Sequence, residues 1–177
     1  MLFLIGTFAM NFPIFVSTMA VNVFHADARG FGLLSSIMAI GTLSGALLAT
    51  GRDKPKFGTL FLGSGVLGIG CALAAFSPGY WWFSAALAVI GVAALTFTNG
   101  TNSMMQLSTK PTMRGRVMAI RVGVGLGGAA IGAPIVGWVA NHFSPRWSLG
   151  IGAVSAFLAA LVAALMMAKP VAASPDS

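Results

Sequence analysis

Amide side chains are the residues of this sequence whose type and placement most suggest work. Asn11 and Asn22 lie in one apolar run, and Asn99, Asn102 and Gln106 lie in another, while Asn141 falls between runs. A carboxamide both donates and accepts hydrogen bonds, so one that faces lipid leaves its polar atoms in a medium with no partner to offer. These five must face one another, a neighbouring helix or a watery cavity. Together with Thr18, Thr96 and Thr98 they either line a polar path for a small molecule or tie helices together by hydrogen bonds. The candidates for the path are Asn11, Thr18, Asn22, Thr96, Asn99, Asn102 and Gln106.

Nothing around the amides assembles covalent, acid–base or metal chemistry. Asp27, Asp53 and Asp176 lie outside the apolar runs, as do His25 and His142, so no acid or imidazole is expected at membrane depth for a proton relay. Cys71 is the only cysteine; one thiol makes neither an intrachain disulfide nor a zinc site. No catalytic residue, metal or cofactor is therefore expected, and the chain does not read as an enzyme. Gly123, Gly125 and Gly128 fit the spacing of a dinucleotide loop, but no strand precedes them and no acidic residue follows until Asp176. Asn99-Gly100-Thr101 spells a glycosylation acceptor inside an apolar run, beyond the reach of the modifying machinery.

The elements that must hold these residues follow from composition. Hydrophobic residues make up 57% of the 177 and charged residues 7%, too few to cover a water-soluble globule, and mean hydropathy is +0.91. The solvent is lipid, where only helices or closed barrels satisfy the backbone, and the runs are too long for barrel strands. At about 20 residues per crossing, the chain reads as an all-α polytopic membrane protein with six transmembrane helices. The spans fall at 1 to 24, 31 to 51, 57 to 77, 80 to 105, 117 to 140 and 148 to 168, so residues 1 to 168 form one bundle and 169 to 177 a short polar tail. Gly or Pro punctuates each short connection, which makes sequential helices antiparallel. The first run reads as a retained helix rather than a signal peptide, because no Lys or Arg precedes Arg29 and the run exceeds a signal core of about 7 to 15 residues.

Charge then sets orientation. Arg52, Lys54, Lys56, Lys110, Arg114, Arg116, Arg121 and Lys169 fall on one side, against Arg29 and Arg146 on the other. By the positive-inside rule the basic side is cytoplasmic, with both termini there. The net charge of +7 thus reports topology and lipid-headgroup anchoring by Arg114 and Arg116 in a basic loop, with no nucleic acid as partner.

Glycine supplies a second pattern. Gly41 and Gly45 in the second span recur as Gly128 and Gly132 in the fifth, each span being the middle member of a triplet. Because the two cross in opposite directions, this is the trace of a three-plus-three inverted repeat. Pro134, like Pro13, withholds a backbone donor and favours a kink.

On these residues the chain resembles the C-terminal half of a major facilitator superfamily transporter and is similar to the branch containing enterobactin and macrolide exporters. The likeness is carried by Gly6-Thr7-Phe8-Ala9-Met10-Asn11-Phe12-Pro13, by Phe31-Gly32-Leu33-Leu34-Ser35-Ser36 with Gly41-Thr42-Leu43-Ser44-Gly45-Ala46, by Met113-Arg114-Gly115-Arg116-Val117-Met118, and by Gly128 to Trp138. The resemblance implies half of a major facilitator fold in the cell membrane, with spans one and four lining a central cavity. Spans two and five would contact the other half through Gly41, Gly45, Gly128, Gly132, Pro134 and Gly137. The implied partners are the lipid bilayer, a small amphipathic or apolar substrate exported by alternating access, and a separate N-terminal six-helix half, or less favourably a second copy. A truncated, non-transporting membrane fragment or interaction protein is the alternative.

Overall fold

The computed structural model describes residues 3, 5 to 50 and 57 to 168 of the chain. The basic loop Arg52 to Lys56 and the tail from 169 to 177 lie outside the described residues. Within them the structure is helical, with six stretches long and apolar enough to cross a membrane.

The first crossing is broken: a π-helical turn, Ile5–Ala9, precedes α1, Phe12–Asn22. The others are α2, Ala28–Thr50; α3, Phe57–Ala75; α4, Tyr80–Leu107; α5, Arg114–His142, entered through a 3-10 turn at Pro111–Met113; and α6, Pro145–Ala168. Hydroxyls along them are satisfied within their own helix, as lipid demands. Ser64 donates to Leu60 O at 2.7 Å, Thr101 to Phe97 O at 2.8 Å and Ser155 to Gly152 O at 2.8 Å.

Two boundaries differ from the sequence expectation for physical reasons. The first span is not one helix, because Pro13 has no N–H for the preceding turn; the chain responds with a wide turn in which Met10 N–H donates to Ile5 O at 3.0 Å. Arg114 and Arg116, expected in a loop, form the first turn of α5 and are exposed. Hydropathy locates the edge of the hydrocarbon, and a helix continues past that edge wherever its polar flank still favours helix.

Packing obeys the inverted repeat. α2 lies on α4 as α5 lies on the first span, α3 lies on α4 as α6 lies on the first span, and α3 and α6 pack on each other across the pseudo-two-fold axis. The repeated glycines make these contacts. A Cβ on Gly41 would collide with the Ala88 carbonyl, and one on Gly45 would come within 2.9 Å of Val92 O. In α5, a Cβ on Gly128 would lie 2.8 Å from Thr7 Oγ1, and one on Gly132 would collide with Thr7 O. Backbones this close exchange dispersion and Cα–H···O contacts that a larger residue forbids. These four glycines are seated against helices of this bundle, whereas Pro134 is exposed and a Cβ on Gly137 would meet nothing.

The core between the helices is filled by Phe15, Met19, Leu67, Phe83, Leu87, Ile90 and Phe97, all fully buried. The end of the bundle opposite Lys110 to Arg116 is tied by several contacts. Tyr80 OH donates to Gly30 O at 2.7 Å, Arg146 Nη2 to Ser77 O at 3.3 Å, and the Phe24 ring meets Tyr80 and Phe83 at 5.8 and 5.4 Å. Asp27 caps α2 there by accepting the Gly30 N–H at 2.9 Å.

Candidate functional site

The seven polar candidates separate once placed. Asn11 sits at the break in the first span, buried, with Nδ2 donating to Thr7 O at 2.6 Å. Its amide does the work of a missing backbone donor and lies against Gly132 of α5, so it is part of the fabric of the break rather than the wall of a path. Thr18 donates to Ile14 O at 2.7 Å. Asn22 is the exposed last residue of α1. Thr96 donates to Val92 O at 2.8 Å and turns to the opposite face of α4, where it lines a groove of about 350 Å³ with Thr59, Gly63 and Val66 of α3.

The remaining amides cluster on another face of α4. Thr98, Asn102 and Gln106 recur every four residues, so they stack along one side of the helix toward its basic end, with half-buried Asn99 at their flank. Gln106 is exposed and Asn102 half-buried. The Oδ1 of Asn102 is shielded from solvent and accepts no hydrogen bond.

That face borders a cleft of about 300 Å³ between the first span, α4 and α5. Gly6 and Met10 contribute from the first span, Phe97 and Thr98 from α4, and Arg121, Gly125 and Ala129 from α5. Gly6 lets α5 approach the floor, since a Cβ there would stand 3.2 Å from Gly125 O. Arg121 is the charged group of the cleft. It lies seven residues into α5, about 10 Å along the axis from Arg114 at the rise of an α-helix. Its Nη2 reaches Thr98 O at 3.4 Å, a long contact, while its Nε is buried with no acceptor.

Arg121, which the sequence presents only as one of the cations on the basic side, lies within α5 and lines the cleft. The available signal was its position inside the fifth apolar run, where a guanidinium needs a reason to be. Arg114, by contrast, donates from Nε to Thr109 O at 3.3 Å and closes the α4–α5 connection.

The described helices thus form one bundle with a broken first crossing, a continuous fourth, and α2 and α5 seated on their neighbours by glycine. The family model for the Major Facilitator Superfamily matches residues 1–177. The chain belongs to the major facilitator superfamily. It is an integral membrane protein and a transporter of that superfamily, with six membrane-spanning helices arranged as the three-plus-three inverted repeat of a major facilitator half. No curated protein matches it. Of the α4 face that carries Thr98, Asn102 and Gln106, Thr98 reaches the cleft between the first span, α4 and α5.

Proposed function

We propose that this chain is the C-terminal bundle of a secondary active transporter that exports a small amphipathic molecule when joined to an N-terminal six-helix bundle. The cleft carries the reading: a mostly apolar space of about 300 Å³, at the lower end of small-molecule sites, with a few convergent polar groups. Outward direction, and membership of the branch containing enterobactin and macrolide exporters, rest on the sequence resemblance. The basic end of the bundle is the cytoplasmic end of the cell membrane by the distribution of Lys and Arg.

Two observations support a second bundle as partner. α2 and α5 bury 17% of their spanning stretches within the chain, against 50 to 56% for the other four. The outer face of α5 also carries small residues at helical spacing, Gly123, Gly127, Ala130 and Pro134, all exposed, and a Cβ on either glycine would meet nothing. In lipid, such a stripe suits close approach of another helix. The inter-half face of α5 then belongs to Gly123, Gly127, Pro134 and Gly137, with Pro134 as a hinge, and not to Gly128 and Gly132.

The test is the mass of the complex in mild detergent after expression from the native locus, combined with Nile red retention in cells with and without that locus. Six further helices at one-to-one stoichiometry, together with lower dye retention, support the proposal. A lone six-helix species whose removal changes no retention would leave a non-transporting membrane protein in its place.

A further inference from the structure

The charged group in the cleft has no counterion among the described residues. Among the described residues the carboxylate is that of Asp27, which is engaged at the N-terminus of α2. Tyr80 marks that end of α4, and Thr98 is about 27 Å further along the helix, beyond useful electrostatic reach of the acid. Arg121 keeps only the long contact to Thr98 O, and its Nε is shielded from solvent with nothing to donate to. A guanidinium presents its donors as a planar fork that fits an oxyanion, and leaving them unmet away from water is costly. On the facing helix, one turn beyond Thr98, Asn102 Oδ1 is an acceptor with no donor. Two unsatisfied polar atoms of complementary type are thus present, one on Arg121 in the lining of the apolar cleft and one on Asn102, a helical turn along α4 from the lining residue Thr98, and buried polar atoms are ordinarily paired.

We propose that the transported molecule is an amphipathic acid. Its single carboxylate pairs with the Arg121 guanidinium, a hydroxyl or amide N–H near the acid donates to Asn102 Oδ1, and its apolar body lies along Met10, Phe97 and Leu126. The inference deepens the transport reading and rests on it for the word "transported"; the binding chemistry stands separately. The volume of about 300 Å³ favours a ligand over a side chain of the partner bundle as the acid, because one carboxylate side chain would leave most of the apolar space empty. It also narrows the substrate class, since a cation would meet Arg121 with like charge in a weakly screened site.

Binding and transport are measured separately on the intact transporter. Dansyl-glycine, an amphipathic carboxylate with an N–H beside it, is compared with its neutral amide by dansyl fluorescence in detergent. The expected result is tighter binding of the acid, with Arg121→Gln weakening the acid by tenfold or more and leaving the amide unchanged; charge-assisted pairs of this kind are worth at least about that factor. Arg121→Lys keeps the charge and loses the fork, so it retains part of the preference. Equal binding of acid and amide by the wild-type protein overturns the inference. So does loss of the second bundle on purification of the Arg121→Gln variant, which would place the counterion on that bundle. Arg121-dependent binding of dansyl-glycine with no movement across vesicles refutes transport and leaves the site intact; Nile red efflux indifferent to Arg121 does the reverse.

Discussion

The first and fourth crossings occupy equivalent places in the repeat, yet one is broken and the other continuous. Glycine contacts fix the equivalence: Val92 receives Gly45 as Thr7 receives Gly132, and Gly91 packs against α2 as Gly6 packs against α5. The same offset lays Asn11-Phe12-Pro13 over Thr96-Phe97-Thr98. Where the first span has Pro13, α4 has Thr98, and that exchange decides what neighbouring polar groups can do. In the irregular turn before Pro13, Asn11 is spent on Thr7 O and its amide is no longer free. Thr98 keeps the helix intact for 28 residues, so Asn102 one turn later owes nothing to the backbone and has an acceptor to spare. Two amides that look alike in sequence are a structural brace in one repeat and an available ligand in the other.

The comparison breaks most severely at the glycine seats. Gly132→Val drives side-chain carbon into Thr7 O, and with no room to relax in a backbone contact the cost exceeds about 3 kcal/mol. Membrane abundance of this variant is expected to collapse, while Gly127→Val, on the open face of the same helix, retains wild-type abundance on immunoblots. Matching blots for the two variants would mean that the seat is looser than the structure shows.

A smaller separation is expected between the amides. Asn11→Leu leaves a buried carbonyl short of its donor and costs about 1 to 3 kcal/mol, so protein level and dye efflux should fall in parallel. Asn102→Leu removes an unpaired acceptor, so thermal stability in detergent should hold or rise while efflux falls. A parallel loss of level and efflux in Asn102→Leu would erase the distinction between brace and ligand.

The smallest effect belongs to the break itself. Pro13→Ala restores an N–H and permits a regular turn, so amide hydrogen exchange around residues 9 to 14 should slow with a stability change of less than about 1 kcal/mol. Unchanged exchange would show that contacts of the π turn with α5 and α6, and not the proline, hold the break open.

Sequence alone determined the solvent, the number of crossings, the punctuation between them and the inverted relation of the two triplets. Length, hydropathy and Gly or Pro placement are local properties, and in lipid the backbone leaves a long apolar run no other regular structure. It also exposed the glycine pair, because a contact that tolerates no side chain leaves a residue type as its record. What each helix turns toward was decided by the tertiary structure. In water, polar and apolar stripes tell outside from inside; in lipid the outer face of α2, with Ile40, Leu43 and Leu47 exposed, is as apolar as the core. So what Gly128, Gly132, Asn11 and Arg121 touch is not legible in the sequence; packing sets the two glycines and Asn11 at the contact of the first span with α5, and Arg121 beside Thr98. Which partner satisfies a polar group in this molecule is a property of helix rotation and approach, and those are set by contacts between residues far apart in the chain.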